Sequence, residues 1–252
     1  MRIFESAGFN VGSSLISALG VSLPTQFFLM TPLSLSKLEA SIIYLTFGLL
    51  IFGIVMSRLD LFWFEFTYVI EDGFIEWMTV LPLFLMAAIS IKRLIRLGSL
   101  RGSWFLISLL VFTGFCLFAA GEELSWGQRI FDWKSTGYFK DNNAQEETNL
   151  HNLVVAGKSI NLLIFSRLLI FFMIFYLLVL PILYQRNTNI RHLTEKFAVP
   201  VPRIYQIVAL LLVFILVSLC PSEKRAELLE FGSCFLFLAI VGFPENAQIF
   251  KP

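Results

Sequence analysis

The chain has 252 residues, 57% of them hydrophobic and 15% charged, with 28 phenylalanines and a mean hydropathy of +0.79. Ordinary globular domains carry about 25% charged residues, so this composition belongs to a polytopic membrane protein and excludes a soluble enzyme built around a large core. A net charge of +1 offers no basic field to a polyanion, which excludes nucleic acid as a partner.

The first twenty residues, MRIFESAGFNVGSSLISALG, do not read as a cleaved signal peptide. Arg2 is their only basic residue, Glu5 follows, and Ser, Asn and Gly break up the apolar positions. Residues 1–37 are expected to form an interfacial arm, and 38–252 a single membrane domain.

A membrane helix needs roughly 20 apolar residues, because the hydrocarbon layer is about 30 Å thick and a helix rises about 1.5 Å per residue. Runs at 38–57, 74–91, 103–121, 160–184 and 204–220 meet that length, and a shorter run at 227–243 opens with acids. The long runs lack the alternation of a barrel strand, and backbone groups in lipid must then be satisfied within helices. The expected fold is all-α and polytopic, with about six transmembrane helices. An extracytoplasmic loop with an amphipathic helix is expected between the third and fourth.

Orientation follows from lysine and arginine in the connections. Lys92, Arg93, Arg96 and Arg101 follow the second run, and Arg186, Arg191, Lys196 and Arg203 follow the fourth. Both connections are expected to be cytoplasmic, as are both termini. The acidic stretch before the second run and the long 121–158 connection then face outward.

Three acid-bearing segments meet at that outer face: EDGFIEW with Glu71, Asp72 and Glu76, GEELSWGQR with Glu122 and Glu123, and AELLEFG with Glu227 and Glu230. Acids in a first helical turn stabilise the helix through its macrodipole by about 0.3–1 kcal/mol each, so Glu71, Asp72 and Glu227 serve either as such acids or as members of a shared polar pocket. Glu76 and Glu230 lie deeper, where ionisable groups face an interior or a watery cavity. Glu122 and Glu123 lie at a helix C-terminus, which disfavours anions. Either that helix runs on through residue 133, aligning Glu122, Trp126, Arg129 and Trp133 on one face, or the acids have a cationic partner. Trp126 and Trp133 suit the headgroup level.

Asn142 or Asn143 and Glu146 suit a helix start. Glu147 and His151 would then stand four apart on one face, a spacing for a carboxylate-oriented imidazole or for two metal ligands. Asn149 and Asn152 add amides. Arg167 either lies about 12 Å deep, needing an anion, or snorkels to the interface. Cys116, Cys220 and Cys234 fit no zinc spacing and read as small apolar residues.

The stretches EDGFIEW, GEELSWGQRIF and NAQEETNLHN together resemble a group of uncharacterised multi-spanning bacterial membrane proteins with E-D-x-x-I-E-W, G-E-E-x-S-W-G-Q-R and N-x-Q-x-E-x-N-L-H-N motifs. The resemblance covers roughly residues 70–155, and it leaves Glu146 and Glu147 as alternatives for the acid before TNLHN. It implies a membrane protein of bacterial origin and brings no activity with it; the expected location is the bacterial inner membrane.

Three functions fit these residues. A membrane-embedded hydrolase or transferase would act on a lipid-linked or amphiphilic substrate at the outer leaflet. In it Glu122, Glu123, Glu147 and His151 would be catalytic, and Gln128, Arg129, Asn149, Asn152 and Arg167 would bind substrate. Glu76, Glu123 and Glu230 would suit an oxygen-preferring divalent cation as cofactor. A scaffold would use the same polar groups as a structural network and dock a membrane or extracytoplasmic protein. A cation- or proton-coupled transporter would need polar or broken positions at mid-membrane, and there the runs are mostly Leu, Ile and Phe. In every case the lipid bilayer is a partner.

Overall fold

The computed structural model describes residues 35–128, 130–143, 146–150, 153–155, 158–159 and 171–252. Lys37–Pro252 forms one compact unit. Its helices are α1 (Lys37–Leu59), α2 (Phe74–Leu97), α3 (Ser103–Glu123), the short α4 (Tyr138–Asn142), α5 (described from Phe171 to Arg186), α6 (Thr188–Lys196), α7 (Ile204–Ser218) and α8 (Arg225–Gly242). A two-residue antiparallel ladder, Val154–Val155 with Lys158–Ser159, is the small β element between α4 and α5.

The apolar runs at 38–57, 74–91 and 103–121 become α1, α2 and α3, each long and apolar enough to cross a membrane. Their outward faces stay apolar: Tyr44 is 76% exposed, Val111 65% and Phe115 62%. In water such a surface would be a liability; in lipid it is the expected solvent-facing side.

The expectation of six full spans is corrected. Among the described residues three helices qualify, or four if α5 and α6 are counted as one broken span. The run at 204–220 yields a helix of 15 residues, which at about 1.5 Å per residue reaches only about 22 Å. The run at 227–243 yields α8, whose 18 residues include Arg225, Glu227 and Glu230. Of the run at 160–184, residues 160–170 lie outside the described residues. Its remaining part leads into a sharp bend, with α5 and α6 meeting at 118°. The bend sits at Asn187, which has extended backbone and whose side chain accepts from the amides of Asn189 and Ile190 at 2.9 and 3.1 Å. An N-cap of this kind starts a new helix in a new direction.

Despite its charges, α8 is the central helix. It packs against α1, α2 and α7, while α3 packs on α2. Leu228, Phe231, Leu236, Ala239 and Ile240 on α8 are fully buried, and Leu50, Leu210 and Val213 meet them from α1 and α7. A second cluster joins Val80 and Leu83 of α2, Cys116 and Ala120 of α3, and Leu238 and Val241 of α8. The cysteines are free thiols.

This packing gives the bundle two ends. At one, the end of α1 meets the end of α7, where Arg58 donates to the Leu219 carbonyl at 2.5 Å. The starts of α2 and α8 and the end of α3 lie there too. At the other end the start of α1 meets the start of α7 and the end of α8 through Glu39 and Gln206.

Candidate functional site

The candidate site lies at the first of these ends, where α3 gives way to the loop that leads to α4. The helix does not run on to residue 133. It stops at Glu123, and Ser125, Trp126 and Gly127 follow with φ of 45°, 55° and 78°. Three consecutive left-handed residues, two of them with side chains, cost about 1–3 kcal/mol for each non-glycine. Such a turn persists only where its surroundings fix it.

Those surroundings are the residues of the motif itself. The carboxylate of Glu122 accepts the indole N–H of Trp126 at 2.8 Å and the backbone amide of Leu150 at 2.6 Å. The ring of Trp126 lies over Gly121, where an added Cβ would meet it at 2.9 Å, and packs edge-on against Phe118. Gly121 is therefore required by close approach, and Gly127 by its positive φ. Two neutral N–H donors thus hold the Glu122 carboxylate, while Arg129 and Arg167, the cations expected near the acid pair, lie outside the described residues.

Ser125, Glu147 and Asn149 form the centre, and all three are buried. The Ser125 hydroxyl donates to Glu147 Oε2 at 2.7 Å, and the Asn149 amide donates to the same oxygen and to Ser125 Oγ, both at 2.8 Å. Asn143 closes the ring. Its amide donates to the backbone oxygen and Oδ1 of Asn149, and its own Oδ1 accepts the Glu147 N–H at 3.1 Å. Beside them Gln128 Oε1 accepts from Thr148 N at 2.8 Å and from the Ser135 hydroxyl at 3.0 Å.

These bonds replace the helix expected from Asn143 onward. Residues 146–150 are not helical, and Glu146 has φ of 57°. Glu147 turns inward and Glu146 outward. Asn143 and residues 146–150 fold back onto the end of α3, where the side chains of Asn143, Glu147 and Asn149 find partners that their own backbone does not offer.

The remaining acids sit around the neighbouring helix starts. Glu76 Oε2 accepts the Asp72 amide at 2.6 Å, where Asp72 has φ of 57°, so this carboxylate caps the entry to α2. Glu230 lies within electrostatic range of Glu227, one turn away on α8, and of Glu76. Glu123 and Glu230 both lie within electrostatic range of Cys234. Glu76, Glu123 and Glu230 thus share one end of the bundle. Among the described residues no group of three or more His, Cys, Asp or Glu side chains is placed to hold a metal ion. Arg129, His151, Asn152 and Arg167 lie outside the described residues.

Two features escape sequence reasoning. Ser125 is hidden because nothing in S-W-G announces a left-handed turn at non-glycine residues. Glu39, at the opposite end, is hidden because it sits three residues into a long apolar helix and reads as an ordinary first-turn acid. It is buried and accepts from the Tyr205 hydroxyl and from Gln206 Nε2, with the Arg203 guanidinium 3.9 Å away. Gln206 also donates to the carbonyls of Ala239 and Phe243, both at 3.1 Å.

No family model, no curated protein and no solved structure matches this chain.

Proposed function

We propose that this chain is a scaffold of the bacterial cytoplasmic membrane, whose folded outer loop serves as a prebuilt docking platform for a membrane or extracytoplasmic protein. One observation carries this reading. The polar groups of the motif are turned inward onto one another, while the loop's outer surface presents exposed aromatic side chains among charged ones such as Asp132, Lys134 and Lys140. Ser125 is 1% exposed and Glu147 6%, whereas Phe131 is 76% exposed and Tyr138 55%. Groups hidden in this way stabilise a shape, and the exposed aromatic side chains are what a partner or the headgroup layer would meet.

In this reading both termini are cytoplasmic, by the basic connections after α2 and α5. The six-crossing count takes α7 and α8 as short spans whose charged or missing turns are covered by neighbouring helices. The test is hydrogen exchange on Glu147→Ala. Faster exchange is expected in both 122–128 and 143–150 with helix content kept; unchanged exchange in both segments would refute the scaffold.

A second reading, a hydrolase or transferase at the outer leaflet, is favoured by a hydroxyl held 2.7 Å from a carboxylate on a strained turn. Glu147 would then take the Ser125 proton as a general base. A fluorophosphonate probe decides this. Labelling of the parent chain, absent in Ser125→Ala, would favour the enzyme over the scaffold.

A further inference from the structure

The broken helix at the Glu39 end of the bundle has a different chemistry on each side. Along α6, His192, Glu195 and Lys196 face a cleft of about 300 Å³ that is completed by Arg101, Ser103 and Trp104. Ile190, Leu193, Thr194 and Phe197 face an apolar groove of about 530 Å³ against Phe172 and Tyr176 of α5. The spacings 192, 195, 196 and 190, 193, 194, 197 are those of two neighbouring helical faces. Trp104 on the wall of the cleft and Phe197 on the wall of the groove are neighbours, with ring centroids 5.8 Å apart.

The cleft is cationic on balance. Glu195 spends one carboxylate oxygen on the Tyr184 hydroxyl at 2.7 Å. The Lys196 ammonium stands 5.8 Å from the Phe197 ring and takes part in no ion pair among the described residues. Arg101 donates from Nη2 to the Lys251 carbonyl at 3.2 Å, and its Nε is buried without a hydrogen-bond partner. A guanidinium with an unused buried N–H beside a free ammonium is a donor set for an oxyanion. The groove beside it opens among exposed Phe172, Phe175 and Leu193, on a surface where the neighbouring helix is apolar enough to cross a membrane.

We propose that cleft and groove together bind one anionic membrane phospholipid, with the headgroup phosphate between Arg101, His192 and Lys196 and an acyl chain along the groove past Trp104 and Phe197. A free phosphate would satisfy the cleft and leave the groove empty. A purely apolar molecule would fill the groove and leave the cations unmatched. The phospholipid matches both. This rests on the chain's place in a membrane and not on the role of the outer loop.

The test is native mass spectrometry of the full chain released from vesicles of equal phosphatidylglycerol and phosphatidylcholine. The parent chain is expected to retain phosphatidylglycerol in preference, and Lys196→Gln, at an exposed position, is expected to cut that preference about fivefold. Leu193→Trp, which fills the groove and leaves the charges in place, is expected to cut retention of phosphatidylglycerol by a similar factor. Equal retention of the two lipids by the parent, or a preference unchanged in Lys196→Gln, overturns the proposal. So does full displacement of the lipid by inorganic phosphate with Leu193→Trp binding as the parent does, since the cleft would then hold a free anion alone. Circular dichroism of each variant keeps loss of fold apart from loss of binding.

Discussion

The two ends of the bundle each bury a carboxylate, and they do so by different means. At one end Glu39 is fixed between helices: Tyr205 and Gln206 come from α7, Arg203 from the residue before it, and Gln206 reaches on to the last turns of α8. At the other end Glu147 is fixed between loop segments by Ser125, Asn149 and Asn143. The first arrangement locks rods whose own hydrogen bonds are already complete. The second must supply the structure itself, because the described residues of 124–150 carry only short helical turns. A polar knot thus fastens helices in one case and stands in for secondary structure in the other.

That contrast is broken most forcefully at Glu39. Glu39→Ala removes the acceptor for a tyrosine hydroxyl and an amide and takes away the carboxylate beside Arg203, a loss of about 3 kcal/mol. The apparent melting temperature should fall for the whole bundle at once, with a smaller fall for Glu39→Gln. A local loosening confined to the start of α1 would show that the knot does not tie the helices together.

Gly121→Ala has a smaller and more local effect. The new Cβ meets the Trp126 ring at 2.9 Å, and displacing the ring costs about 1–3 kcal/mol. Trp126 fluorescence, read in a chain with the other four tryptophans replaced by phenylalanine, should shift while the Glu39 end keeps its exchange protection. Phe131→Ala has the smallest effect, within about 0.5 kcal/mol, because the side chain is 76% exposed. Its consequence should fall on partner binding and not on melting.

The helices legible in the sequence are those whose apolar runs are long and uninterrupted. α1, α2 and α3 follow from composition alone, since lipid leaves the backbone no other choice. α6 is not legible, because its start depends on the Asn187 side chain capping two amides within a connection that composition marks only as basic. The loop after α3 is legible as a concentration of acids and amides but not as a shape. Ser125 and Trp126 adopt φ values that their own local preferences oppose, and contacts such as those of Glu122 with Trp126 and Leu150 and of Glu147 and Asn149 with Ser125 make the turn stable. In the same way the i, i+4 pairing of Glu147 assumes a helix that tertiary hydrogen bonds replace.

Ser125 and Glu147 act together to hold the loop on the end of α3, and on this the role of the motif depends. A double-mutant cycle measures it directly, with unfolding free energies for the parent, Ser125→Ala, Glu147→Ala and the double variant. The expected coupling is about 0.5–3 kcal/mol, as for residues within one buried hydrogen-bond network. Additivity within about 0.3 kcal/mol would contradict it and leave the motif without its structural role.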